Sequence, residues 1–110
     1  MGQVYFQRGT YPKIPLAHGE LSRRLISFGG GLMLTEMEFE AGAQSKEHSH
    51  AEEQLTYCIS GEFETSVGGV AGKLSPGDSF YAGPDVVHGV RCLVAGTLLH
   101  VFTPQREEYK

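Results

Sequence analysis

The chain has 110 residues and a formal net charge of −4, from 9 basic and 13 acidic residues with no block of like charge. That length supports one domain with one core, and the lack of a basic stripe argues against a nucleic-acid footprint. No stretch reaches the roughly 18 consecutive apolar residues of a membrane span. Residues 1–13 lack the long apolar run of a secretory signal, and two cysteines, Cys58 and Cys92, are too few for a disulfide framework. A cytoplasmic chain with two buried thiols is expected.

The 15 glycines and 5 prolines divide the chain into short runs rich in β-branched and aromatic residues, which read as strands. In chain order these are residues 4–7, 32–40, 54–60, 62–67, 79–82, 89–93 and 97–103. Residues 16–25 predict a turn or two of helix at most, interrupted at His18-Gly19. Turns are expected at Gly29-Gly30-Gly31, Gly68-Gly69, Ser75-Pro76-Gly77-Asp78 and Gly83-Pro84-Asp85. Gly68-Gly69, between residues 63–67 and 70–74, predicts a two-residue hairpin, because glycine accepts the positive φ such turns require. No long segment has a 3.6-residue apolar period, so the expected class is all-β, a single-domain sandwich or barrel over residues 1–110.

The chemistry-bearing residues follow from this pattern. His48 and His50 are two apart and share a strand face, and Gln54 keeps the same parity. His88 follows the Gly83-Pro84 turn in a separate strand. His100 is centred in the apolar run Leu98-Leu99-His100-Val101-Phe102. Imidazoles with one amide oxygen suit a divalent ion such as zinc, nickel, iron, copper or manganese. Taken singly, each residue has a plainer reading. The His48/His50 pair could be solvated, His88 a turn residue, His100 a core histidine bonded to backbone, and His18 a loop residue in water.

The segment GAQSKEHSHAEEQ, residues 42–54, closes at Gly61 and resembles the first cupin motif: glycine, five residues, HxH, three or four residues, glutamate, six residues, glycine. Gln54 stands in place of the glutamate. GDSFYAGPDVVH, residues 77–88, resembles the second motif, with Cys92 where asparagine is usual. The resemblance implies a cupin jelly-roll β-barrel around one divalent metal, held by His48, His50, Gln54 and His88. Strand parity then turns Thr56, Cys58, Val90, Cys92, Leu98, His100 and Phe102 inward.

Two enzyme families share this ligand pattern. Residues 22–29, 86–90 and 101–108 resemble the pectin-degradation cupins that act on unsaturated uronates. In that family Arg106 matches a substrate-contacting arginine, and His100 takes the place of an aspartate. The His48, His50, Gln54, His88 and His100 set also resembles the zinc site of the single-domain cupin cyclases of aromatic polyketide biosynthesis. That second resemblance is preferred, and it implies zinc-assisted aldol cyclisation of a poly-β-keto chain. His100 would be a fifth ligand, His100 and His50 the catalytic histidines, and Arg106, Phe102, Tyr57 and Met33 the pocket wall. Uronate chemistry, a metal-dependent oxygenase and a non-catalytic binding protein are the alternatives. A small-molecule substrate is expected, with no nucleic acid and no membrane partner. A homodimer is also expected, for which residues 4–6 offer an exchangeable edge strand.

Overall fold

The computed structural model of the chain describes residues 2–110. Eight strands carry the fold: β1 (Lys13–Leu16), β2 (Leu21–Gly29), β3 (Leu32–Phe39), β4 (Gln44–His48), β5 (Glu53–Val67), β6 (Val70–Leu74), β7 (Ser79–Ala82) and β8 (His88–Thr103). They pair antiparallel in the order β1-β2-β3-β8-β5-β6, with β4 added to β8 and β7 to β5. Among the described residues, only single 3-10 turns, Ala17–Gly19 and Glu107–Tyr109, interrupt the β structure. The all-β, jelly-roll-like reading of the sequence holds.

The two longest strands organise the rest. β5 and β8 pair along nearly their whole lengths, from Glu53 opposite Thr103 to Val67 opposite His88. One half of β8 takes β4 as its second neighbour and the other half takes β3. The sequence reads each long strand as two short ones, broken near Gly61 and Gly96. Instead each strand continues through a register shift between Cys58 and Phe63. A Cβ at Gly61 would stand 2.5 Å from the Val94 carbonyl oxygen, and one at Gly96 would stand 2.0 Å from that of Ser60. Only glycines allow the strands to cross this closely while bending. The Gly61 that closes the first motif is therefore the hinge of the barrel. The Gly68-Gly69 hairpin between β5 and β6 forms as expected, with φ of 57° and 80°.

Three segments differ from their sequence reading. Residues 16–25 hold one 3-10 turn and then β2, whose Leu21 and Leu25 are buried at two-residue parity around Arg23. Inward burial at this period outweighs the weak helical signal. Residues 4–7 form no strand: Val4 and Tyr5 are exposed, and Phe6 packs on the Phe28 ring at 5.5 Å. Residues 44–48, which approach the HxH pair, form β4, with His48 directly opposite His88.

The core has two apolar clusters. One gathers Leu21, Phe39, Ala43, Cys58, Phe63, Leu74, Val90, Cys92 and Leu98, and the other Leu25, Met33 and Phe102. Both cysteines are free and buried, and desolvation raises their thiol pKa values, so they stay protonated filler. A buried polar layer also lies inside the barrel: Thr35, Gln54, Thr56, His88 and His100.

Candidate metal centre

His48 ends β4, His50 lies in the following loop, His88 opens β8 and Gln54 sits near the start of β5. Pairing of His48 with His88 brings the first two strands together, and one ring nitrogen each of His48, His50 and His88 falls within 4.8 Å of the others. Each ring is fixed by a backbone carbonyl. Nδ1 lies 2.7 Å from the Lys46 oxygen in His48, 2.8 Å from that of Glu52 in His50, and 2.9 Å from that of Val86 in His88. These bonds place the proton on Nδ1 and leave Nε2 with its lone pair facing the other rings.

The donor set fits a divalent cation. His88 Nε2 is buried and has no hydrogen-bond partner among the described residues. His50 Nε2 and Gln54 Oε1, both acceptors in this arrangement, face each other at 3.0 Å. Acceptors brought this close are stabilised by a cation between them and repel without one. Burial lowers the His88 pKa, and the neighbouring histidines lower it further, which keeps the ring neutral and able to ligate.

His100 stands outside that group. Its Nδ1 lies 2.8 Å from Thr56 Oγ1 and 3.0 Å from Gln54 Nε2, and Gln54 Nε2 also donates to Thr56 Oγ1 at 2.8 Å. Burial lowers its pKa to about 3, so the ring is neutral. It therefore braces the Gln54 amide, where the cyclase resemblance requires it as a fifth ligand. The physical reason lies in its neighbours: His100 pairs with Thr35 and Thr56, and its Nδ1 is turned to the Thr56 hydroxyl and the Gln54 nitrogen, whereas His48 pairs with His88.

His48, His88 and His100 border a cavity of about 200 Å³, lined also by Thr35, Met37, Phe102, Arg23, Arg106 and Tyr109. Two of the expected wall residues do not line it. Tyr57 has odd parity on β5 and points outward, 47% exposed. Met33 is fully buried behind the cavity, in the Leu25–Phe102 cluster. Phe102 and Arg106 do line it. This volume lies below the roughly 300–1,000 Å³ of drug-sized pockets and is a poor match for an extended poly-β-keto chain.

Arg23, Glu52 and Tyr109 complete the site and were not singled out from sequence. The Arg23 guanidinium lies 3.8 Å from the Tyr109 ring centre and that of Arg106 lies 4.3 Å from it. Arg106 donates from Nη1 to the Tyr109 hydroxyl at 2.6 Å and from Nε to Glu108 at 2.8 Å. Glu52 links metal site and arginine, with Oε1 3.6 Å from His50 Nδ1 and 3.9 Å from Arg106 Nε. The alternation Leu21-Arg23-Leu25 was the available signal for Arg23. Reading that segment as helical hid it.

Comparison with known proteins agrees with this site. Residues 35–102 match the Cupin domain family. The pectin degradation protein KdgF of Dickeya dadantii is 31% identical over 107 residues, 96% of each chain. Among solved structures, an RmlC-like cupin from Shewanella frigidimarina superposes with a TM-score of 0.90 at 34% identity, over 98% of this chain and 97% of that one. KdgF from Halomonas sp. superposes with a TM-score of 0.89 at 25% identity, over 99% and 100%. No helix of the described residues is long and apolar enough to cross a membrane. With both motifs in place, the β-barrel built and three histidines converging, the chain belongs to the cupin family.

Proposed function

We propose that this chain is a metal-dependent enzyme acting on a single-ring sugar acid of the kind released when pectin is broken down. The observation that carries this reading is the pair of guanidinium groups, Arg106 and Arg23, on the cavity that the histidines border. The pectin-degradation relative adds weight to it. Stacked on Tyr109, the two arginines set positive charge where a carboxylate enters, and Arg106 keeps N–H donors free beyond those given to Glu108 and Tyr109.

His48, His50, His88 and Gln54 would hold a divalent cation, which would supply Lewis acidity to a substrate oxygen. We propose zinc, which elemental analysis of the purified protein checks. Arg106 and Arg23 hold and orient the carboxylate, and Phe102 gives the ring an apolar wall. His100 accepts hydrogen bonds at Nδ1, so its proton sits on Nε2. Where uronate cupins are expected to carry an aspartate, this chain offers an uncharged donor. It stabilises negative charge developing on a substrate oxygen and does not remove a proton from carbon.

The test is direct. Purified protein given an unsaturated galacturonate should consume its conjugated double bond. Chelation should abolish turnover and added metal should restore it. No consumption with any divalent metal overturns the reading. Pairing of two copies is also proposed, supported by the exposed Val4 and Tyr5 and by the exposed apolar row Leu55, Tyr57 and Ile59 beside Tyr81. A monomer in sedimentation at micromolar concentration would count against it.

A further inference from the structure

Two threonines flank His100 across the sheet, and they are not equivalent. Thr35 on β3 and Thr56 on β5 each pair with His100 on β8, forming one buried row, and neither threonine exposes any surface. Thr56 is fully engaged: its hydroxyl accepts from Gln54 Nε2 and donates to His100 Nδ1. Thr35 is among the residues that line the cavity, and its buried hydroxyl has no hydrogen-bond partner among the described residues. A buried hydroxyl left unpaired costs about 1–3 kcal/mol, and valine would fill the same volume without that cost.

We propose that Thr35 is a substrate-binding residue which, together with His100 Nε2, reads one hydroxyl of a sugar ligand at the buried end of the cavity. The chemistry of the pair selects the ligand group. His100 Nε2 carries a hydrogen and can only donate. The Thr35 hydroxyl can donate or accept. A sugar hydroxyl completes both at once, accepting from His100 and exchanging a bond with Thr35. A methyl or methylene group there would leave two buried polar groups unpaired, which is how a site discriminates against a deoxy analogue. Arg106 lies elsewhere on the cavity wall, so one site reads the carboxylate and the other a neutral hydroxyl. The inference deepens the sugar-acid reading but rests on different residues, so the two can fail separately.

The experiment is calorimetric titration of the metal-loaded protein with galacturonate and with galactose, its neutral counterpart. Thr35→Val should weaken both sugars by the same factor, about tenfold, as expected for loss of one neutral hydrogen bond. Thr35→Ser, which keeps the hydroxyl, should bind within about twofold of the parent protein. The melting temperature of ligand-free Thr35→Val should equal or exceed that of the parent, which separates a binding role from a structural one. Arg106→Gln should weaken galacturonate alone. Equal binding of both sugars to parent and Thr35→Val overturns the inference, as does a lower melting temperature with unchanged binding. Galacturonate binding no better than galactose overturns the carboxylate reading alone. Binding of neither sugar overturns both.

Discussion

The rim histidines and His100 are the same side chain put to opposite uses, and the difference lies in what holds Nδ1. In His48, His50 and His88 a backbone carbonyl accepts from Nδ1 and leaves a lone pair on Nε2. In His100 the Thr56 hydroxyl and the Gln54 amide donate to Nδ1 and leave a proton on Nε2. The first arrangement suits a cation, and the second presents a donor. Gln54 joins the two regions, with its oxygen toward His50 and its nitrogen toward His100. The barrel thus has a wall that attracts cations and a neutral buried floor a few ångströms away.

The comparison breaks most visibly if a rim ligand is removed. His88→Ala should lower metal affinity by more than about 100-fold, beyond the 10–100-fold typical of losing an outer partner of a ligand. Competition with a chelating dye measures it, and near-normal affinity would remove His88 from the ligand set. His100→Gln, which removes only the brace on Gln54, should lower metal affinity by no more than the roughly 10–100-fold of an outer partner. A loss as large as that of His88→Ala would return His100 to the ligands.

The same variant sharpens the comparison through pH. His100 is held at about 3 when folded, against about 6.5 in an unfolded chain. Its folded value is lowered, so the unfolded state takes up the proton first. Stability of the metal-free protein therefore falls as pH drops from about 6.5 towards the folded value, by up to about 1.4 kcal/mol per pH unit, and is unaffected above that window. Denaturant titrations should show a flatter profile for His100→Gln, by about one proton. An unchanged slope would mean that the ring is not buried in its neutral form. The smallest effect is expected on the outer face. Tyr57→Ser should leave metal binding and turnover unchanged and shift monomer stability by no more than about 0.5 kcal/mol. A loss of metal or activity would place Tyr57 in the site after all.

Part of the site was legible from motif spacing: His48, His50, Gln54 and His88 stand at the cupin positions, although His50 lies in the loop between β4 and β5 and shares no strand face with His48. Along β5 and β8 themselves the strand period of two carries the reading. The same period places Thr56, Cys58 and Phe102 inside. What parity does not carry is the order of strands. It shows that His100 faces inward but not which histidines it meets. Its neighbours were decided by the pairing of β8 with β3 and β5, which sets Thr35 and Thr56 on either side of His100. Arg23 was missed because a short mixed segment is ambiguous between helix and strand until a neighbouring strand claims it, as β3 does here.

The sequence by itself determined the all-β class, the cupin motifs and the three histidines that converge, since these depend on local spacing and on side-chain chemistry. Only the tertiary structure decided the hydrogen-bond partners of His100, the outward turn of Tyr57, the meeting of Arg23 with Tyr109 and the unpaired Thr35 hydroxyl. Each of those depends on which strand lies beside which, and that is set by burial summed over the whole barrel and by the Gly61–Gly96 crossing, where no side chain fits.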